Sequence, residues 1–152
     1  MLYEDSEACI AMKRVLFFCT HNSARSQFAE ELLKKYGSGE YAAESAGLDP
    51  GQINPYVAQV LKREEGIDIS GKKTRSVFDI LKEGHVFWEV VAVCGRETND
   101  KCPIFPGVQH RYHWDYPDPS TYTGTDEEIL SQVTELYRVI KQKVVEHFGL
   151  SL

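Results

Sequence analysis

Cys19 and Arg25 bracket the segment Cys19-Thr20-His21-Asn22-Ser23-Ala24-Arg25-Ser26, with five residues between them. Upstream lies the strand-forming run Val15-Leu16-Phe17-Phe18, and downstream a stretch with helical spacing. A strand–loop–helix passage turns several backbone N–H groups and the positive end of a helix dipole toward one point, which suits a phosphate-like dianion. Cys19 lies at that point, where the same field favours thiolate over thiol. Arg25 adds a planar fork of donors that can grip two oxygens of a tetrahedral or trigonal-bipyramidal centre. Residues 20–26 thus read as an oxyanion-binding loop, comprising Thr20, His21, Asn22, Ser23, Ala24, Arg25 and Ser26, with a nucleophile at its floor. An inward-turned loop needs a residue at positive φ, and without a glycine Asn22 tolerates it best. Ser23 or Ser26 can cap the next helix or donate a hydroxyl to the Cys19 thiolate, and Ser26 is better placed for the second role. His21 could tune Cys19 or simply face solvent.

The elements that must position this loop follow from periodicity. Arg14 to Phe18 reads as a buried parallel strand, and Phe28, Ala29, Leu32, Leu33 and Tyr36 recur at helical spacing before Gly37. Tyr41 to Ser45 is a second strand, and a helix follows from Asn54-Pro55 to Gly66. Ser76 with Asp79 starts a short helix, Trp88 to Val93 reads as a third strand, and Val108 to His113 as a fourth. Thr125 with Glu128 opens a long helix that puts Ile129, Val133, Leu136, Ile140 and Val144 on one face. Alternating strands and helices predict an α/β domain with a parallel sheet covered by helices on both faces; with the strand order taken from the flavodoxin-like pattern, this is a flavodoxin-like three-layer domain with a four-stranded parallel sheet, order 2-1-3-4. In that order Cys19, Cys94 and Asp118 follow the first, third and fourth strands and emerge on one edge.

At 152 residues and 42% hydrophobic, the chain suits one globular domain. No apolar run approaches the roughly 20 residues that span a bilayer, and the acidic start Met1-Leu2-Tyr3-Glu4-Asp5-Ser6-Glu7 lacks a signal peptide's basic end and apolar core. A cytoplasmic protein without a membrane partner is expected. The net charge of −6 argues against nucleic acid and requires the positive potential of the loop to be made locally. Lys72, Lys73 and Arg75 form a small basic cluster that could contribute or could be a solvated loop. Four cysteines in a reducing compartment point to chemistry or burial rather than a disulfide framework.

Asp118, before Pro119, is the candidate general acid for a leaving oxygen, with Asp115 as its alternate; either could instead be a solvated turn carboxylate. Cys94 could be a small core residue and Cys102 a loop cysteine. A zinc tetrad of Cys94, Cys102, His110 and His113 has no compact ligand knuckle, so no metal and no cofactor is assigned.

Four ordered segments carry a resemblance that runs from Met12 nearly to the end. They are Cys19-Thr20-His21-Asn22-Ser23-Ala24-Arg25-Ser26-Gln27, Gly66-Ile67-Asp68-Ile69-Ser70, Val91-Ala92-Val93-Cys94 with Cys102-Pro103-Ile104-Phe105-Pro106-Gly107, and His113-Trp114-Asp115-Tyr116-Pro117-Asp118-Pro119. The chain resembles arsenate reductases related to low-molecular-weight protein tyrosine phosphatases. The resemblance implies a catalytic domain over 12–152 preceded by an extension, 1–11; that extension is expected to be poorly ordered or loosely packed, with no catalytic part for Cys9. It implies arsenate or a phosphate-like oxyanion as substrate, attack by Cys19, oxyanion binding by Arg25 and protonation by Asp118. Cys94 would then attack the arseno-cysteine adduct, and Cys102 would take over the disulfide for reduction by thioredoxin or a small thiol. The segment Gly95 to Lys101 must deform for that exchange, since the two Cα atoms have to come within about 7 Å. Some members hold potassium near the loop at positions matching Asn22, Ser26 and Glu30; here Gly71-Lys72-Lys73-Thr74-Arg75 brings basic residues where a further aspartate would stand. Two other readings remain open: a tyrosine phosphatase (a hydrolase) using Cys19, Arg25 and Asp118 alone, and a cysteine phosphocarrier protein.

Overall fold

The computed structural model describes residues 12–94, 105, 107, 108 and 110–152. Among them, β1 (Lys13–Cys19), α1 (Arg25–Tyr36), β2 (Tyr41–Gly47), α2 (Pro55–Glu65), α3 (Val77–Lys82), β3 (Glu89–Ala92), β4 (His110–His113) and α4 (Asp126–Phe148) follow in chain order, with a 3-10 turn at Pro119–Thr121 before α4. All strand pairs are parallel and the order is β2-β1-β3-β4, as expected. Parallel neighbours need crossovers, and the helices that make them bury both faces of the sheet. β1 shows the consequence: Phe17 meets the rings of Trp114 and Phe148, while Leu16 and Phe18, pointing to the opposite face, are equally buried.

Local chemistry sets the element ends. Asn54 caps α2 by accepting from the backbone N–H groups of Tyr56 and Val57, and Gly66 closes it in the left-handed region at φ 71°. Thr125 and Glu128 form a reciprocal capping box on α4. Ser76 caps α3 through the Phe78 N–H. The third and fourth strands are shorter than their sequence suggests, beginning at Glu89 and His110, although the Trp88 and Val93 N–H groups still bond to β1 carbonyls. The strand signal reads β-forming side chains, whereas the strand itself ends where ladder partners do.

Helices α1, α2 and α4 converge on a buried carboxylate. Glu65, with a side chain 1% exposed, accepts from Lys35 Nζ at 2.9 Å, Lys141 Nζ at 2.7 Å, Tyr36 Oη at 2.6 Å and Tyr137 Oη. Burial alone would push its pKa up, but the bonds from Lys141, Tyr137, Tyr36 and Lys35 outweigh that and bring it down to about 2. Because the folded value lies below the ordinary 4.5, the stabilisation is fully present above that pH and is lost as pH falls toward 2. Glu65→Gln is expected to cost about 3 kcal/mol at pH 7. Urea unfolding from pH 7 down to pH 3 checks it: the gap between wild type and variant should narrow on acidification, and a constant gap would contradict the assignment.

Candidate active site

The loop after β1 is built around Asn22, which has φ 55° and is the only non-glycine residue at positive φ among those described. Asn22 is buried and its side chain is fully committed. Its amide donates to Ser26 Oγ and to Ser45 Oγ, each at 2.9 Å, and its Oδ1 accepts from the Arg75 backbone N–H at 2.9 Å. Gln27 Nε2 donates to the Asn22 carbonyl at 2.8 Å. These bonds hold in place a backbone conformation that L-residues disfavour. Gly47, at the end of β2, lies directly beneath: a Cβ there would fall 2.7 Å from the Asn22 nitrogen and 2.8 Å from the His21 carbonyl carbon. Any other residue would displace the loop.

Cys19 ends β1, buried, with Ser26 Oγ 3.0 Å from its sulfur. Ser26 Oγ accepts an N–H from Asn22, so its own hydrogen is free to point at the sulfur. Neither serine caps the helix. Ala24 occupies the N-cap of α1 without a side-chain bond, leaving the first-turn N–H groups of the helix for an anion. His21 Nδ1 lies 2.8 Å from the Asp49 carbonyl oxygen; a carbonyl only accepts, so Nδ1 carries the proton and the ring holds the adjoining segment.

Arg25, at the first position of α1, is 3% exposed. One terminal nitrogen donates to the Tyr116 carbonyl at 3.1 Å, the other stands 3.8 Å from Asp118 Oδ2, and Nε has no hydrogen-bond partner among the described residues. Buried guanidinium donors are rarely left unmatched, and an oxyanion in the loop would supply the acceptor. Asp118 itself caps the 3-10 turn, its Oδ1 accepting from the Ser120 N–H at 2.9 Å, while Oδ2 faces Arg25. Asp115 is exposed on the same segment.

Cys94 lies just past β3, fully buried. The register pairs Phe18 with Ala92, so β1 and β3 are neighbours, with Cys19 the last residue of β1 and Cys94 two residues past the end of β3. His113 Nε2, 2.8 Å from the Cys94 carbonyl oxygen, must be its donor, which ties this segment to β4. Cys102, Cys9 and the extension 1–11 lie outside the described residues.

The basic cluster does not face the anion loop as one patch. Lys72 Nζ sits 2.6 Å from both Glu30 Oε1 and Glu31 Oε2, and Arg75 pairs with Glu44 at 3.3 Å and Glu83 at 2.9 Å. At the positions Asn22 and Glu30, Asn22 Oδ1 accepts from the Arg75 N–H, and the two Glu30 oxygens accept from Ser45, Lys72 and Lys34, the last at 2.7 Å, so two ammonium groups stand on that carboxylate. Ser45, Gly47 and Lys72 have no motif of their own in the sequence, since their parts depend on a loop more than 20 residues away.

The sequence model for low molecular weight phosphotyrosine protein phosphatase matches residues 14–148, from the second residue of β1 to the end of α4. The chain belongs to that family. It is 40% identical over 117 residues to a Bacillus subtilis protein named arsenate reductase, a match covering 76% of this chain and 81% of the relative. A solved structure described as an arsenate reductase in oxidized state superposes with a TM-score of 0.70 at 28% identity, covering 89% of this chain and 95% of that one. Another, described as an arsenate reductase in the phosphate binding state, gives 0.59 at 28% identity and covers 88% and 99%. In this family setting the described fold and the sequence resemblance agree. No helix among the described residues is long and apolar enough to cross a membrane.

Proposed function

We propose that this protein reduces arsenate to arsenite in the cytoplasm, with Cys19 as nucleophile and Cys94 and Cys102 as a thiol relay. The observation that carries the reading is the paired burial of two cysteines at the ends of adjacent parallel strands, one of them floored in an oxyanion loop. The relatives' shared name of arsenate reductase and the existence of an oxidised state for one of them support it.

Arsenate enters the loop, held by the backbone N–H groups of residues 20–26 and by Arg25, whose buried Nε has no partner among the described residues. The Cys19 thiolate forms a bond to arsenic, and Asp118 gives its proton to the departing oxygen, which leaves as water. Cys94, as thiolate, attacks the Cys19 sulfur. A Cys19–Cys94 disulfide forms, and the electron pair of the breaking S–As bond stays on arsenic, which leaves as arsenite. Cys102 then attacks Cys94, and thioredoxin or a small thiol reduces the resulting Cys94–Cys102 disulfide by exchange. Residues 1–11, with Cys9, take no part. Hydrolysis of a phosphate monoester is the second reading: it needs only Cys19, Arg25 and Asp118, and the family's description favours it.

Coupled assays separate the two. The purified protein is supplied with arsenate, thioredoxin, thioredoxin reductase and NADPH, and arsenite is quantified against NADPH consumed, beside an aryl phosphate assay. One arsenite per NADPH supports reduction; brisk aryl phosphate turnover without arsenite from any thiol donor would leave the phosphatase reading.

Asp118→Asn keeps the capping geometry, because an amide oxygen also accepts from the Ser120 N–H. It removes the proton, so aryl phosphate turnover should drop about 100-fold while phosphate inhibition shifts by less than about threefold. Unchanged turnover for this variant would transfer the acid role to Asp115.

A further inference from the structure

The carbonyl oxygens of the loop after β1 are tied one after another to donors outside it. Cys19, Thr20 and His21 accept from the backbone N–H groups of Leu48 at 3.1 Å, Asp49 at 2.7 Å and Gly51 at 3.0 Å, and Ser23 accepts from Asn54 at 2.9 Å. Ala24 accepts from Phe28 of α1 at 3.0 Å. A trans peptide unit is flat and holds its C=O and the following N–H in opposite directions, and no peptide bond among the described residues is cis. Tying the carbonyls of residues 19–24 therefore turns the N–H groups of residues 20–25 the other way, into the loop. None of those N–H groups donates to another described residue.

Asn22 is held differently. Its carbonyl, at the residue with φ 55°, meets no backbone donor and is tied by a side chain, Gln27 Nε2 at 2.8 Å. Gln27 lies in the first turn of α1 and is 0% exposed. A carbonyl only accepts, so the amide must present its NH2 group to Asn22, and its Oε1 is left buried with no hydrogen-bond partner among the described residues. A buried amide oxygen without a partner is costly, and a methionine of similar length would fill the space without that cost. What the glutamine gains over an apolar side chain is the bond to Asn22. Through the flat peptide unit that joins Asn22 to Ser23, this bond aims the Ser23 N–H into the loop.

We propose that Gln27 is a positioning residue for the oxyanion: by fixing the Asn22 carbonyl outward it holds the Ser23 N–H as a preorganised donor to the bound anion. The other carbonyls of residues 19–24 are tied by main-chain N–H groups, so this is the peptide unit of the loop whose orientation depends on a side chain. The proposal rests on the reading of residues 20–26 as an oxyanion-binding loop, and it holds whether the adduct on Cys19 is reduced or hydrolysed.

Phosphate binding without turnover tests it. Iodoacetamide alkylates Cys19 and phosphate in the loop shields it; the phosphate concentration that halves the alkylation rate at pH 7, read by mass spectrometry of the Cys19 peptide, is an apparent Kd. Gln27→Met should raise that Kd about tenfold, the worth of one hydrogen bond to a charged group. In wild type the Ser23 amide proton, followed by NMR of isotope-labelled protein, should move downfield as phosphate is added, and in Gln27→Met it should move less. A residue that only supports the fold would lower stability and leave the affinity of the folded loop alone. A Kd within about twofold of wild type, in a Gln27→Met protein with native near-ultraviolet circular dichroism, would therefore overturn the proposal. A Ser23 amide that stays in place in wild type at saturating phosphate would overturn it too, and that measurement needs no variant to fold. Phosphate that fails to shield wild-type Cys19 at all would remove the oxyanion-binding loop itself, and this proposal with it.

Discussion

Cys94→Ser is expected to lower arsenite formation by at least about 1,000-fold while aryl phosphate hydrolysis stays within about threefold of wild type. The two reactions share everything up to the covalent adduct on Cys19 and diverge at the atom that resolves it. Water can resolve a phosphoryl adduct. Reducing arsenic requires a sulfur that attacks sulfur, because only that step leaves an electron pair on the metalloid. A serine hydroxyl is essentially never ionised at neutral pH and cannot end in a disulfide. The bond from His113 is received by the backbone carbonyl of Cys94, so the substitution leaves it in place. Arsenite quantified under the coupled assay, with mass spectrometry for the Cys19–Cys94 disulfide in a Cys102→Ser background, checks both halves. Arsenite production at the wild-type rate by Cys94→Ser would falsify the relay.

The second large effect falls on both reactions together. Arg25→Lys should lower kcat/KM about 100-fold to 1,000-fold for arsenate and for an aryl phosphate alike, the usual cost of removing one preorganised oxyanion donor. Lysine retains the positive charge, so a purely electrostatic part for Arg25 would predict a much smaller loss. What lysine lacks is the fork. In Arg25 one terminal nitrogen is spent on the Tyr116 carbonyl and the other faces Asp118, leaving Nε and the remaining N–H bonds to meet the oxyanion in a single plane. An ammonium can replace one of these contacts but not the set. Steady-state kinetics with both substrates, and inhibition by phosphate, measure the effect. A loss below about tenfold would mean that charge alone suffices.

How much of this was legible in the chain differs from element to element, for identifiable reasons. β1 and α1 were readable because an apolar run and a helical stripe enclose the loop with no competing signal, and the capping box of α4 is a purely local pattern. Asn22 was readable as the left-handed residue, since its need for positive φ depends on a handful of neighbours. The start of β4 was less so, because the sequence continues to favour extended backbone beyond the last ladder bond. The 3-10 turn after Asp118 had no periodicity to announce it, only an Asp-Pro pair that serves many turns. Lys72, one of a basic group with two open readings, proved to pair with Glu30 and Glu31, two carboxylates of a helix far back in the chain.

The sequence by itself determined the loop from Cys19 to Ser26 and the roles proposed for its cysteine and arginine, because those roles rest on residue types at fixed short spacing and on backbone N–H groups that any strand–loop–helix passage supplies. It also determined the parallel sheet, through the alternation of strand and helix patterns. Only the tertiary structure decided what stands behind Cys19. Gly47 under Asn22, Ser45 between Asn22 and Glu30, and Lys72 on Glu30 are each separated from the residue they serve by more than ten positions, so no local pattern encodes them. Hydrogen bonds and ion pairs act over about 3 Å, and which groups come that close is settled by how the sheet and helices pack, not by their order along the chain.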